Sequence, residues 1–308
     1  MEPVPPPHVP SPAERVSTPV DGVEVLGALS PSRAGDFLTC PLLYRFRTID
    51  RLPEPPSPDA ARGTLVHKVL EDLFDLPAPE RTPQRATDML ATTWESLLEA
   101  EPGLSELFTG DADEVTAWMT SCRTVLERWF TLEDPTRLEP AERELYVETL
   151  LDSRLLLRGF VDRVDIAADG AVRIVDYKTG RAPGVGFEQR ALFQMKFYAL
   201  VLWRTREVLP AMLQLVYLGN GEIVRYSPDE DDLLATERKL QAIWEAIRAA
   251  QDSGQWLPNP GRLCDWCAHR ALCPAWGGTP PRLPGPNATD PAPQPPSAAP
   301  SVHSGAAP

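Results

Sequence analysis

At 308 residues the chain is long enough for one full hydrophobic core and shows no break into two domains. It lacks a basic-then-apolar secretory start and any apolar run long enough to span a bilayer, so it reads as cytoplasmic, with no membrane partner. A formal net charge of −14 argues against nucleic acid only until its distribution is read: residues 71–152 hold 20 acidic and 6 basic side chains, while residues 30–70 hold 6 basic and 4 acidic and residues 153–276 hold 16 basic and 15 acidic. The segments on either side of the acidic stretch are thus slightly basic, with Arg33, Arg45, Arg47, Arg158, Arg163, Arg181 and Arg190 available for phosphates.

In chain order, residues 1–29 open Pro-rich and residues 277–308 are Pro, Ala, Ser and Gly with almost no large apolar side chain. Both read as disordered tails that bury too little surface to offset ordering entropy, leaving residues 30–276 as the folded domain. Ser30-Pro31-Ser32 opens that domain, and Cys40 follows in Phe37-Leu38-Thr39-Cys40-Pro41. Gly63 to Glu71 reads as a helix start with Leu65, Val69, Leu70 and Leu73 on its apolar side; His67 and Glu71, four apart, are neighbours on its surface. A lone histidine beside an apolar stripe is ordinarily a satisfied, partly buried residue. The acidic stretch 71–152 reads as a helical insertion whose apolar residues include Leu97, Leu98, Val115, Trp118, Val125, Leu126 and Trp129, its acids forming a solvated face.

Leu155 to Lys178 carries the most chemistry. Two β-rich runs flank Ala167-Ala168-Asp169-Gly170, and Asp-Gly between alternating runs signals a hairpin. Val172, Ile174, Asp176 and Lys178 share one face, because strand side chains alternate with period two. Folding about Asp169-Gly170 brings Asp162 within about one residue of lying opposite Asp176. Two carboxylates that close disfavour each other's ionisation unless a cation lies between them, and oxygen ligands of this kind suit Mg²⁺ or Mn²⁺. Lys178 points at the same site, where it can orient a water or meet developing charge, as metal-dependent hydrolysis of a phosphodiester requires. Asp-x-Lys alone is common, and the plain alternative is a strand pair with solvated charges.

Leu192 to Trp203 has helical periodicity with Gln194 and Tyr198 at i, i+4. Ala211–Tyr217 and Glu222–Tyr226 form a second hairpin around Gly219-Asn220-Gly221. Ser227-Pro228-Asp229-Glu230 supplies a capping box for a helix with Leu233, Leu234, Leu240, Ile243, Trp244 and Ile247 inward, ended by Ser253-Gly254. Cys264, Cys267 and Cys273 then form C-x2-C-x5-C. Thiolates so spaced favour a soft metal or an iron–sulfur cluster; a zinc site made of the triplet with Cys40 or His269 is the alternative, and Cys122 reads as a packed thiol. Tying Cys40 to the triplet closes a loop of more than two hundred residues, so a bound metal group acts as a staple. No phosphate-cradling G-x4-G-K-[ST] loop is present, and Lys178-Thr179-Gly180 lacks the S-x-x-K that would make it a penicillin-binding signature.

Taken in order, Gly63, His67 and Glu71, then Gly159, Asp162 and Arg163, then Asp176 to Gly180, then Gln194 and Tyr198 resemble the RecB-type branch of the PD-(D/E)xK nucleases over residues from about 30 to 276. The resemblance implies an α/β, restriction-endonuclease-like core, a central mixed sheet flanked by helices, here with a helical insertion and disordered termini. It implies that Asp162, Asp176 and His67 hold Mg²⁺ or Mn²⁺ and that Lys178 assists catalysis. A glutamate before the first motif strand often contributes in that family, and Glu144, or else Glu142, takes that place. A subset of the family carries a four-cysteine 4Fe–4S cluster with one ligand before the core and three after it, which matches Cys40 with Cys264, Cys267 and Cys273. The implied activity is DNA exonuclease in repair or recombination, with DNA as partner, a separate helicase as a further one, and Gln194, Tyr198, Arg163 and Arg181 as DNA contacts. The competing readings are a CRISPR-adaptation nuclease that trims DNA, and a cluster-stabilised DNA-binding or adaptor module that does not cut.

Overall fold

The structure, a computed structural model, describes residues 23, 25–108, 110, 112–182 and 188–283, with backbone alone at 188 and 189. Its centre is one mixed six-stranded sheet. In chain order the strands are β1 (Gly27–Leu29), β2 (Glu142–Leu150), β3 (Leu155–Ile166), β4 (Val172–Lys178), β5 (Met212–Tyr217) and β6 (Glu222–Tyr226). The long strand β3 pairs antiparallel with β2 along one edge. Its other edge is shared: β1 lies parallel to residues 155–157, and β4 runs antiparallel to residues 163–166. β5 is parallel to β4, and β6 closes the far side antiparallel to β5.

Helices cover both faces, as the alternation along β4 requires. Ile174 belongs to a core formed with α1 (Pro31–Thr39), α2 (Pro41–Tyr44), α6 (Glu188–Arg206) and α7 (Glu230–Ser253). Val175 and Tyr177 point the other way, into a core built with α3 (Pro58–Leu73), α4 (Pro83–Ala100) and α5 (Ala112–Leu132). Asp176 and Lys178, in phase with Ile174, therefore face α6. That helix is packed between the sheet and its neighbours, with Met195 and the whole run Phe197–Leu202 buried. The helix starts follow from local chemistry. Ser30 and Ser57 cap α1 and α3 ahead of Pro31 and Pro58 at the first helical position. α7 begins at Asp229, whose side chain accepts the Asp232 N–H, so Pro228 precedes the cap instead of following it; Gly254 ends the helix at φ 67°.

Three boundaries differ from the sequence expectation. Gly27–Leu29, assigned to the N-terminal tail, form β1; a three-residue strand is too short to show periodicity, and its partner lies more than a hundred residues away. The acidic insertion is helical only through α5, because residues 142–150 are β2, whose mixed charged and apolar side chains hide a strand. Residues 277–283 are also held: the Arg45 guanidinium donates to the Pro281 carbonyl and Leu283 packs on the core. Of the two predicted tails, residues 1–22, 24 and 284–308 lie outside the described residues.

Candidate active site

Asp162 sits where two ladders are interrupted. Pairing between β3 and β4 ends at Arg163 with Val175, so one step further would set Asp162 opposite Asp176. There the strands part, and the Asp162 Oδ2 accepts the Tyr177 backbone N–H at 2.8 Å in place of a ladder bond. On the other edge, the β2–β3 pairing skips Glu144, which has φ 42°, a left-handed conformation that is costly for a side chain other than glycine. That strain turns Glu144 beside Asp162, so Glu144, Asp162 and Asp176 come from three adjacent strands.

His67 arrives from α3 on the opposite face. Its Nε2 lies 2.9 Å from the Tyr177 carbonyl, which can only accept, so Nε2 carries the proton. Its Nδ1 faces Asp162 Oδ2 at 3.5 Å, where an unprotonated Nδ1 would set its lone pair against the carboxylate. Two acceptors facing each other call for a cation or a proton between them. Glu144 completes the group: one ligand atom each of His67, Glu144 and Asp162 lie within 4.8 Å of one another. Burial first, and Asp162 second, push the Glu144 carboxyl up to about 7, and the same two causes push Asp176 up to about 6. Glu71, the neighbour of His67, lines the same small recess as Glu144 and Asp162 and is paired with Lys68 at 3.0 Å.

Asp176 is held differently from the expected ligand set. Its Oδ2 is 2.7 Å from Lys178 Nζ, and its Oδ1 accepts from Gln194 Nε2 at 2.9 Å. The Gln194 carbonyl in turn accepts from Lys178 Nζ at 2.9 Å, and its amide reaches the Tyr198 hydroxyl at 3.2 Å. Gln194 and Tyr198, expected as DNA contacts, thus lie inside the site: Gln194 fixes both Asp176 and Lys178, and Tyr198 is buried behind it. The Tyr198 ring also explains Gly159, where an added Cβ would fall 2.8 Å from it. Burial opposes the charge of Lys178, but Asp176 outweighs it and holds the ammonium above its ordinary value.

Arg163 is a correction. It is 1% exposed and points to the face opposite Asp162, where it pairs with Glu133 of α5 at 2.7 Å, donates to the Tyr177 hydroxyl and meets Asp165 at 3.1 Å. It pins α5 to the sheet and has no surface to offer DNA. The alternation that separates 162 from 163 carries that signal in the sequence. Glu133, whose carboxyl is held down by Arg163 despite burial, has no motif to mark it. Arg45 and Arg158 are buried too, and Arg47 is committed to Asp36 and Glu54, whereas Arg181 and Arg190 are exposed.

Cys40, Cys264, Cys267 and Cys273 are free and line one cavity of about 260 Å³, remote from Cys122, which is buried in α5. The Asn259 backbone N–H donates to Cys40 Sγ and that of Gly261 to Cys264 Sγ, both at 3.3 Å. No three of these sulfurs lie within 4.8 Å of one another.

Residues 28–274 match the PD-(D/E)XK nuclease superfamily. The Gene 69 protein of Mycobacterium phage D29 is 27% identical over 274 residues, covering 80% of this chain and 96% of the phage protein. The Gene 69 protein of Mycobacterium phage L5 is 23% identical over 297 residues, covering 83% and 99%. In structure the chain is similar to a provisionally assigned exonuclease from Eubacterium rectale, with a TM-score of 0.51 at 13% identity over 79% of this chain and 87% of that one. With most of its length matched, and with the sheet and helices arranged as described, the chain belongs to the PD-(D/E)XK nuclease superfamily.

Proposed function

We propose that the chain is a divalent-metal-dependent deoxyribonuclease of the RecB type, cutting from DNA ends in repair or recombination in the cytoplasm. One observation carries the reading: the His67 lone pair, Glu144 and Asp162 converge on a point where only a cation or a proton relieves them. His67, Glu144 and Asp162 would hold Mg²⁺ or Mn²⁺, with Asp176 beside them. When bound, such an ion supplies charge neutralisation at the scissile phosphate and a more acidic water. Lys178, kept protonated by Asp176, holds the attacking water in line and meets the charge that develops on the phosphate oxygens. Gln194 orients both partners of that pair, and Tyr198 backs Gln194. Preference for ends follows the assignment of the Eubacterium rectale neighbour.

The same reading assigns a 4Fe–4S cluster to Cys40, Cys264, Cys267 and Cys273. Two of the sulfurs accept backbone amides, and all four line one cavity. A tetrahedral zinc held by the triplet with Cys40 or His269 is the alternative. The cluster's part is a staple between α1 and the C-terminal turns.

Purified protein incubated with Mn²⁺ and either end-labelled linear or closed circular DNA tests the proposal. Loss of the label from linear DNA with the circle intact is expected. Nicking of the circle at an equal rate contradicts end-dependence, and DNA bound tightly but never cut would leave the non-cleaving module.

A further inference from the structure

Of the large apolar side chains exposed among the described residues, four fall in the twenty residues that carry the cysteine triplet: Leu257, Leu263, Trp266 and Trp276. Trp266 is 78% exposed and Trp276 47%. Trp is among the more buried residue types, so two such rings on one short stretch are a surface built for contact. Trp266 ends the turn Arg262–Trp266, in sequence between the cavity-lining Cys264 and Cys267, while Trp276 lines the cavity itself. Arginines interleave with the rings. Arg270 stacks over Trp276 at 4.0 Å while paired with Asp265, and Arg262 is exposed. Arg190, exposed at the start of α6, lines the same cavity. One turn further along that helix, on the same side and about 6 Å away, is Gln194, which touches both Asp176 and Lys178. The aromatic surface and the candidate active site are therefore joined by a single helical face.

We propose that Trp266 and Trp276 form a stacking platform for the unpaired bases of a single DNA strand, whose backbone passes Arg262 and Arg190 on its way to Lys178. The proposal rests on the nuclease reading and deepens it, assigning single-stranded substrate or a frayed end. Flat rings with arginines suit bases and phosphates in alternation, and ring faces accept any base, so the grip is independent of sequence. Continuity with the candidate active site through α6 is what favours a nucleic-acid strand over a protein partner on this patch.

The test uses the full chain with its metals, with Ca²⁺ replacing Mn²⁺ when binding is measured. Stacking lost per base corresponds to about fivefold to a hundredfold in affinity. Trp266→Ala combined with Trp276→Ala is expected to weaken binding of a fluorescent oligo-dT by at least tenfold, while Trp266→Phe with Trp276→Phe restores most of it. Hydrolysis of bis(p-nitrophenyl) phosphate, too small to reach the platform, is expected to stay at the wild-type rate. A wild type that cuts nothing but still shows the aromatic-dependent affinity would remove the nuclease reading and keep the platform. Should the alanine variant fold poorly, photocrosslinking of 5-iodouracil DNA to the wild type replaces it. Crosslinks at Trp266 or Trp276 support the proposal. Crosslinks confined to other residues, or unchanged oligo-dT affinity in the folded alanine variant, overturn it and leave the patch to a protein partner.

Discussion

Lys178 separates chemistry from binding more cleanly than any other side chain in the site. It faces Asp176 and Gln194 and is not one of the three groups that converge on the cation position. Lys178→Ala is expected to leave DNA and Mn²⁺ affinity close to wild type while cleavage falls by about a hundredfold to a thousandfold, the scale for losing one preorganised electrostatic contact. Single-turnover cleavage beside binding in Ca²⁺ checks this. Arg163 makes the opposite case. Its removal strands the Glu133 carboxylate in a buried position, so Arg163→Ala is expected to cost about 3–5 kcal/mol in urea unfolding. The salt dependence of DNA binding, in the fraction that folds, is expected to be unaltered. The facing of Asp162 and Asp176 is legible in the sequence, because an Asp-Gly turn and a two-residue period fix their register within a single hairpin. The bridge made by Gln194 is legible only as a helical neighbour of Tyr198, since its partners sit on a strand that periodicity cannot relate to that helix. Arg163 is misread as a phosphate contact when its charge is weighed without the strand alternation that sets it on the face opposite Asp162.

Between elements, the account depends on which parts of the chain hold each other. β4 pairs with β5 from Arg173 through Lys178 but leaves β3 early, and the gap so opened is the space in which Asp162, Asp176 and the His67 ring meet. The helices and the two hairpins show in the sequence, because each is a local pattern with its own cap or turn. β1 and β2 do not: one is three residues long, and the other mixes charges with apolar residues beside a helical insertion. The cysteine lobe joins the two ends of the domain, as Asn259 also shows by donating to the Thr39 carbonyl at 2.9 Å. Anaerobically purified protein is expected to be brown and to contain iron and acid-labile sulfide. Cys267→Ser is expected to remove the colour and lower the melting temperature. Stoichiometric zinc without sulfide would contradict the cluster.

For the whole molecule, the site is a source of instability until it is filled. Burial, and after it the nearby Asp162, raise Asp176 to about 6 and Glu144 to about 7, above ordinary carboxyl values, so the folded state holds protons that the unfolded chain releases. Their contribution to stability is fully present below about pH 4, and it is lost as pH rises through 6 and 7. Metal-free wild type is therefore expected to lose melting temperature relative to Glu144→Gln between pH 5 and pH 8. Mn²⁺ is expected to restore it in the wild type, and more at pH 8 than at pH 5, because the ion competes with those protons. Parallel melting curves for the two proteins across that range would show that the carboxylates do not crowd one another. Net charge misleads at this scale. The value of −14 belongs mostly to the insertion, so the acidic sum says little about the segments that carry Lys178, Arg181 and Arg190.

The central claim is that one metal-dependent site, built on Asp162 and Asp176, cuts DNA. Its most direct test is the release of label from end-labelled DNA by wild type and Asp176→Ala, each in Mn²⁺ and in excess EDTA. Cleavage is expected in one of the four reactions, wild type with Mn²⁺, and Asp176→Ala is expected to be inactive while retaining any iron. Wild-type cleavage that persists in EDTA, or an Asp176→Ala protein as active as wild type, would contradict it.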